Sequence, residues 1–107
     1  MTATNNFITE LVRAANEIDR ITDFEEQRLL DRAVTTIRDM REAIGIPLSG
    51  MGTDAAVDLQ TVSALVKAGI AQEDTVRAAL LDAAGMIRDL HIVLDTKTEI
   101  LFEDGSQ

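Results

Sequence analysis

From Gln72 to Phe102 the apolar residues keep one helical phase for about eight turns. No other feature constrains the fold as strongly. Val76, Leu80, Ala83, Ile87, Leu90, Leu94 and Leu101 follow alternating steps of four and three, and Lys97 sits where the next apolar residue is due. A second row, Ala79, Met86, Val93 and Ile100, runs beside the first at seven-residue spacing. Together the rows make a face wider than a two-stranded seam requires, so this helix has to pack against two or three others. The chain is therefore expected to be all-α: an antiparallel four-helix bundle made of two αα-hairpins, with a long C-terminal helix at its centre.

Composition agrees. With 107 residues the chain is long enough for one core, and three Phe with no Trp or Tyr leave that core to Leu, Ile, Val, Ala and Met, which suit helices better than sheets. The absence of Cys excludes disulfides, thiolate catalysis and sulfur-ligated zinc. The polar, uncharged start from Met1 to Asn6 does not read as a signal peptide, and no later stretch has the length of a membrane span. A soluble, cytoplasmic protein is expected, one helical domain over residues 1–107 with 1–5 and 103–107 frayed.

Nineteen acidic residues against ten basic ones give a formal charge of −9, which opposes binding to nucleic acid or to an anionic membrane. The imbalance is greater in the second half, where residues 54–107 hold ten acids and four basic groups. A basic partner would be drawn there, although most such charges simply solvate helix surfaces.

Taken in order, Phe7, Ile8, Leu11, Val12, Ala15 and Ile18 make a first helix over 5–21. Its phase breaks at Thr22-Asp23-Phe24-Glu25, a capping-box pattern, and a new stripe of Leu29, Leu30, Ala33, Val34, Ile37, Met40 and Ile44 predicts a second helix over 23–44. One bent helix from 5 to 44 is the competing reading, because the link has neither Gly nor Pro. Gly45-Ile46-Pro47-Leu48-Ser49-Gly50-Met51-Gly52 holds the only proline and is the clearest interruption, with Gly45 the left-handed stop. Thr53 or Asp54 caps a third helix over 54–68, with Val57, Val62, Leu65 and Val66 inward and Gly69 ending it in a Schellman motif. The last helix is expected over 72–102.

Sliding the chain by fifty residues sets Val12 on Val62, Ala14 on Ala64, Leu30 on Leu80, Ala33 on Ala83, Ile37-Arg38-Asp39 on Ile87-Arg88-Asp89, Met40 on Leu90 and Ile44 on Leu94. The buried stripes share a phase, as two αα-hairpins would, and duplication is one way to obtain it.

Chemistry-bearing patterns are sparse. His91 is the only histidine and resembles that of histidine phosphotransfer domains, but Leu94 and Asp95 stand where those domains carry Lys and Gly. Carboxylate-bridged metal centres in bundles need inward acids, typically Glu with His three residues on; Arg88 holds that place here. An all-α magnesium-dependent hydrolase meets the same objection, since Asp23, Glu25 and Glu26 read as first-turn helix charges. Gly50-Met51-Gly52-Thr53-Asp54 resembles the calcium loop of annexin repeats over five residues, and a glycine loop followed by a helix cap explains the same residues.

The expected function is therefore a regulator, adaptor or assembly component acting through protein contacts, with no cofactor, no metal and no catalysis. The alternative is a phosphotransfer-like module or small metal-dependent hydrolase using His91 or the acidic patch. The long helix should outrun its neighbours by about two turns, and Val93, Leu94, Lys97, Ile100, Leu101 and Phe102 on that end are the expected interface of a homodimer.

Overall fold

A computed structural model describes the backbone of residues 3–45 and 53–105, and the side chains within 4–45 and 57–95. It holds four helices, α1 (Ala3–Asn16), α2 (Asp23–Ile44), α3 (Thr53–Lys67) and α4 (Glu73–Gly105), with no strand among the described residues. Among these residues no helix is long and apolar enough to cross a membrane. Residues 5 to 44 form two helices rather than one bent one. Thr22 is extended and caps α2, accepting from the Glu25 amide at 3.1 Å, while its hydroxyl lies 3.4 Å from the Glu25 carboxylate.

Both expected glycine stops are present. Gly45 has φ 92° and donates to the Arg41 and Glu42 carbonyls, while Gly69 has φ 77° and donates to Val66. Ile70 donates back to Leu65 at 3.1 Å, which completes the paired hydrogen bonds of a Schellman end. Ile70 is itself 68% exposed, so polar satisfaction holds this end more than apolar cover does.

Some boundaries differ from expectation. α1 stops at Asn16, five residues short of the expected Ile21, because the chain turns through Glu17 to Arg20 and tucks Ile18 into the core outside the helix. The helices begin at Ala3 and end at Gly105, beyond the expected limits of 5 and 102. In α3, Val66 is buried and Val62 and Leu65 are half-buried as expected, but Val57 is 47% exposed, and Leu59 and Ser63 are buried in addition. Steps of four and three from Leu59 satisfy the helix geometry, and Ser63 is tolerated inside because its hydroxyl donates to Asp31 Oδ1 at 2.6 Å. The helix-capping side chains expected at Thr53 or Asp54, and the glycine loop before them, lie outside the described residues and side chains.

α4 and α2 form the middle of the molecule. Their N-terminal ends meet around Glu26 and Val76, and farther along Arg41 Nη2 reaches Met86 Sδ at 3.4 Å, so the two run side by side in the same direction. α1 packs chiefly on α4, where Arg77 Nε donates to the Ala15 carbonyl at 3.2 Å, and α3 packs chiefly on α2 through Ser63 and Asp31. α3 touches α4 only lightly. Leu11, Leu30, Ile37, Leu80 and Ile87 are fully covered, each contributing roughly 1.5–3 kcal/mol of apolar burial.

Burial repeats with the fifty-residue offset along α2 and α4: Glu26 and Val76, Leu30 and Leu80, Ala33 and Ala83, Val34 and Ala84, Ile37 and Ile87, Met40 and Leu90 are all buried. The outer helices do not follow that offset, since Ala14 is buried and Ala64 exposed. Their burial matches at forty-eight instead, with Leu11, Ala15 and Ile18 corresponding to Leu59, Ser63 and Val66. The spacing from the outer to the inner buried positions is thus two residues longer in the second half.

Candidate functional site

α2 and α4 start level with one another, and α2 ends at Ile44, which the offset equates with Leu94. The helical backbone from residue 95 to Gly105 therefore runs beyond the end of α2 by roughly 16 Å, at 1.5 Å per residue. The face leading into this overhang is apolar and open: Ile92 is 52% and Val93 45% exposed, while Leu94 is half-buried against the core. Of the expected interface, Val93 and Leu94 thus fall on opposite sides of the boundary between solvent and core. The side chains of Lys97, Ile100, Leu101 and Phe102 lie outside those described. Ile92 was not anticipated. Consecutive apolar residues such as Ile92-Val93-Leu94 span about 200° of a helix, more than a single core face can cover, and that excess was the available signal.

His91 lies at the core boundary, its side chain 19% exposed and its Nε2 3.5 Å from Asp95 Oδ2. The partner is an acid one turn along α4, so a phosphoryl group arriving at Nε2 would meet negative charge. Among the described residues no group of three or more His, Asp or Glu is placed to hold a metal ion.

The acids of the α2 start are not all surface charges. Glu26 is only 6% exposed and sits in a small cavity of about 120 Å³ with Ile18, Asp23, Glu73 and Val76 near it. Burial first, then the charges of Asp23 and Glu73, push its carboxyl above the ordinary range. Arg41, which follows Glu26 by fifteen residues on the same inward stripe, is also buried, and loss of hydration lowers its pKa. Apolar periodicity passed over both because it reads only apolar positions; extending the Leu30 and Ile37 stripe by one turn each way finds them.

Two grooves flank the central pair. The first, about 260 Å³, lies between α1 and α2, with Arg13, Arg28 and Arg32 in its lining. Arg32 stacks on Phe7 at 4.1 Å and pairs with Glu10 at 3.6 Å. The second, about 850 Å³, lies between α3 and α4; Leu59, Val62, Ala79, Leu81 and Met86 supply its apolar surface, and Asp58, Asp82 and Asp89 stand along it. No family model, no curated protein and no solved structure matches the chain.

Proposed function

We propose that this protein is a small acidic helical bundle that works through protein–protein contacts, as a regulator, adaptor or assembly component, and that its first partner is a second copy of itself. In this reading the chain is two matching helix–turn–helix halves, α1–α2 and α3–α4, in which each outer helix packs chiefly on the inner helix of the other half, and the C-terminal overhang of α4 breaks the match. The repeat of burial between α2 and α4 at fifty residues, and between the outer segments at forty-eight, supports the matching halves. The observation that carries the dimer is the open apolar face of Ile92 and Val93 at the root of an overhang that α2 does not accompany.

A twofold dimer would set this face against its own copy or against α1 of the partner, with Ile100, Leu101 and Phe102 extending the contact and Lys97 fixing the register. His91 acts as a boundary residue beside Asp95, not as a phosphoryl carrier. With a formal charge of −9, nucleic acid and anionic membranes are not among its partners, and a cysteine-free chain suits the cytoplasm. Substituting Val93→Glu and Leu101→Glu together tests the interface: a folded helical monomer is expected, and an unchanged dimer would refute the assignment of the surface.

A further inference from the structure

The two grooves occupy matching places in the two halves, and their differences point to a use for the second. Glu25, Arg28, Leu29 and Arg32 of the first correspond at offset fifty to Thr75, Ala78, Ala79 and Asp82 of the second. At the forty-eight offset of the outer helices, Glu10 corresponds to Asp58, Arg13 to Thr61 and Ala14 to Val62. Three arginines line the first groove; in the second, Ala78 and Asp82 stand in place of Arg28 and Arg32, and Thr61, the counterpart of Arg13, lies outside the lining. The second groove is the larger, about 850 Å³ against about 260 Å³, and has no basic residue in its lining.

The remaining chemistry is one-sided. Asp74, Asp82 and Asp89 follow one another along α4 at steps of eight and seven, about 22 Å in all, and Asp58 faces them from α3. Asp74 is paired with Arg77 at 3.1 Å, and no ion pair engages Asp58, Asp82 or Asp89 among the described residues. Between the acids the surface is apolar, with Leu81 43% exposed and Gly85 leaving open space where a Cβ would stand. An apolar trough between two helices with carboxylates spaced at every second turn matches an amphipathic helix carrying Lys or Arg on both flanks of its apolar stripe.

We propose that the α3–α4 groove is the docking site for a basic amphipathic helix of another protein, about four turns long, whose apolar stripe lies over Ala78, Leu81 and Gly85 and whose basic residues meet Asp58, Asp82 and Asp89. This deepens the adaptor reading by naming the partner's chemistry, and it is independent of the α4 overhang through which the chain pairs with itself.

The probe is a fluorescently labelled helical peptide of about sixteen residues, with Leu at helical spacing and Lys on both flanks, measured by anisotropy on the full chain. Micromolar binding is expected, and the same peptide with Glu in place of Lys should not bind. Gly85→Leu fills the trough without changing charge, and because the site is helical with open space above it the variant should stay folded. It should weaken binding at least tenfold. Asp82→Arg, which installs the residue of the first groove, should do the same, whereas Val93→Glu with Leu101→Glu should leave peptide binding intact even though it dissociates the dimer. The proposal is overturned if wild type does not bind the peptide, if Gly85→Leu binds as tightly as wild type, which would mean bulk charge attraction only, or if Gly85→Leu dissociates the dimer, which would mean that a second copy fills the groove.

Discussion

Glu26 should be a liability that the fold tolerates, and Glu26→Gln should make the protein more stable at neutral pH. The substitution keeps the shape and removes the charge. Two effects oppose each other. Glu26 lies in the fourth position of α2, where the helix dipole favours a carboxylate by about 0.3–1 kcal/mol, an advantage already fading one turn in. Against it stand desolvation of a nearly covered carboxylate and the like charges of Asp23 and Glu73, and among the described residues the Glu26 side chain has no hydrogen-bond or ion-pair partner. A buried polar group without a partner costs about 1–3 kcal/mol and a charged one more, so after subtracting the dipole term and the smaller cost of the amide we expect a gain of about 1 kcal/mol, a rise of roughly 4–8 °C in Tm. The dependence on pH has a definite sign. Because the folded-state pKa is raised, the folded chain holds this proton more tightly than the unfolded chain, so the wild type loses stability as pH climbs through the carboxylate range. Below about pH 3 both states are protonated and the two proteins should be equally stable. Urea unfolding followed by circular dichroism at about pH 7 and pH 3 reads both limits. A Gln variant less stable than wild type at neutral pH, or a gain that persists unchanged in acid, would refute the reasoning.

Leu30→Ala and Leu80→Ala remove equivalent, fully buried side chains and should each cost about 3 kcal/mol, within about 1 kcal/mol of one another; a large disparity in urea unfolding would argue against matching halves. Ser63→Ala should cost about 1.5 kcal/mol, because the short bond to Asp31 ties α3 to α2, and no loss in chemical denaturation would show that bond to be incidental. His91→Gln should change stability by no more than about 1 kcal/mol and leave dimerisation unchanged; loss of cellular function in a normally folded variant would favour phosphotransfer instead.

What could be read from sequence was what is decided within a few residues. The phase break after Ile18, the Thr22 cap and the left-handed Gly45 and Gly69 depend on local sterics and hydrogen bonds, and all four stand in the structure. The stripes of α2 and α4 were legible because each has enough turns to average out exceptions. α3 has fewer, so the choice of Val57 over Leu59 was not corrected by further turns, and Ser63 is inside because Asp31 of another helix offers it a partner. Glu26 and Arg41 were hidden for a related reason: periodicity in hydrophobicity cannot report a polar residue held inside by its neighbours. The α3–α4 groove depends on how far apart two helices sit, which no single stripe encodes. Only the contrast between Arg28 and Ala78, or Arg32 and Asp82, hints at it.

Sedimentation equilibrium of the wild-type chain at tens of micromolar tests the central claim most directly. The account predicts a mass near twice the 11.7 kDa of one chain, falling to that of a folded monomer when Val93 and Leu101 are both changed to Glu. A wild-type protein that sediments as a monomer throughout that range would contradict it.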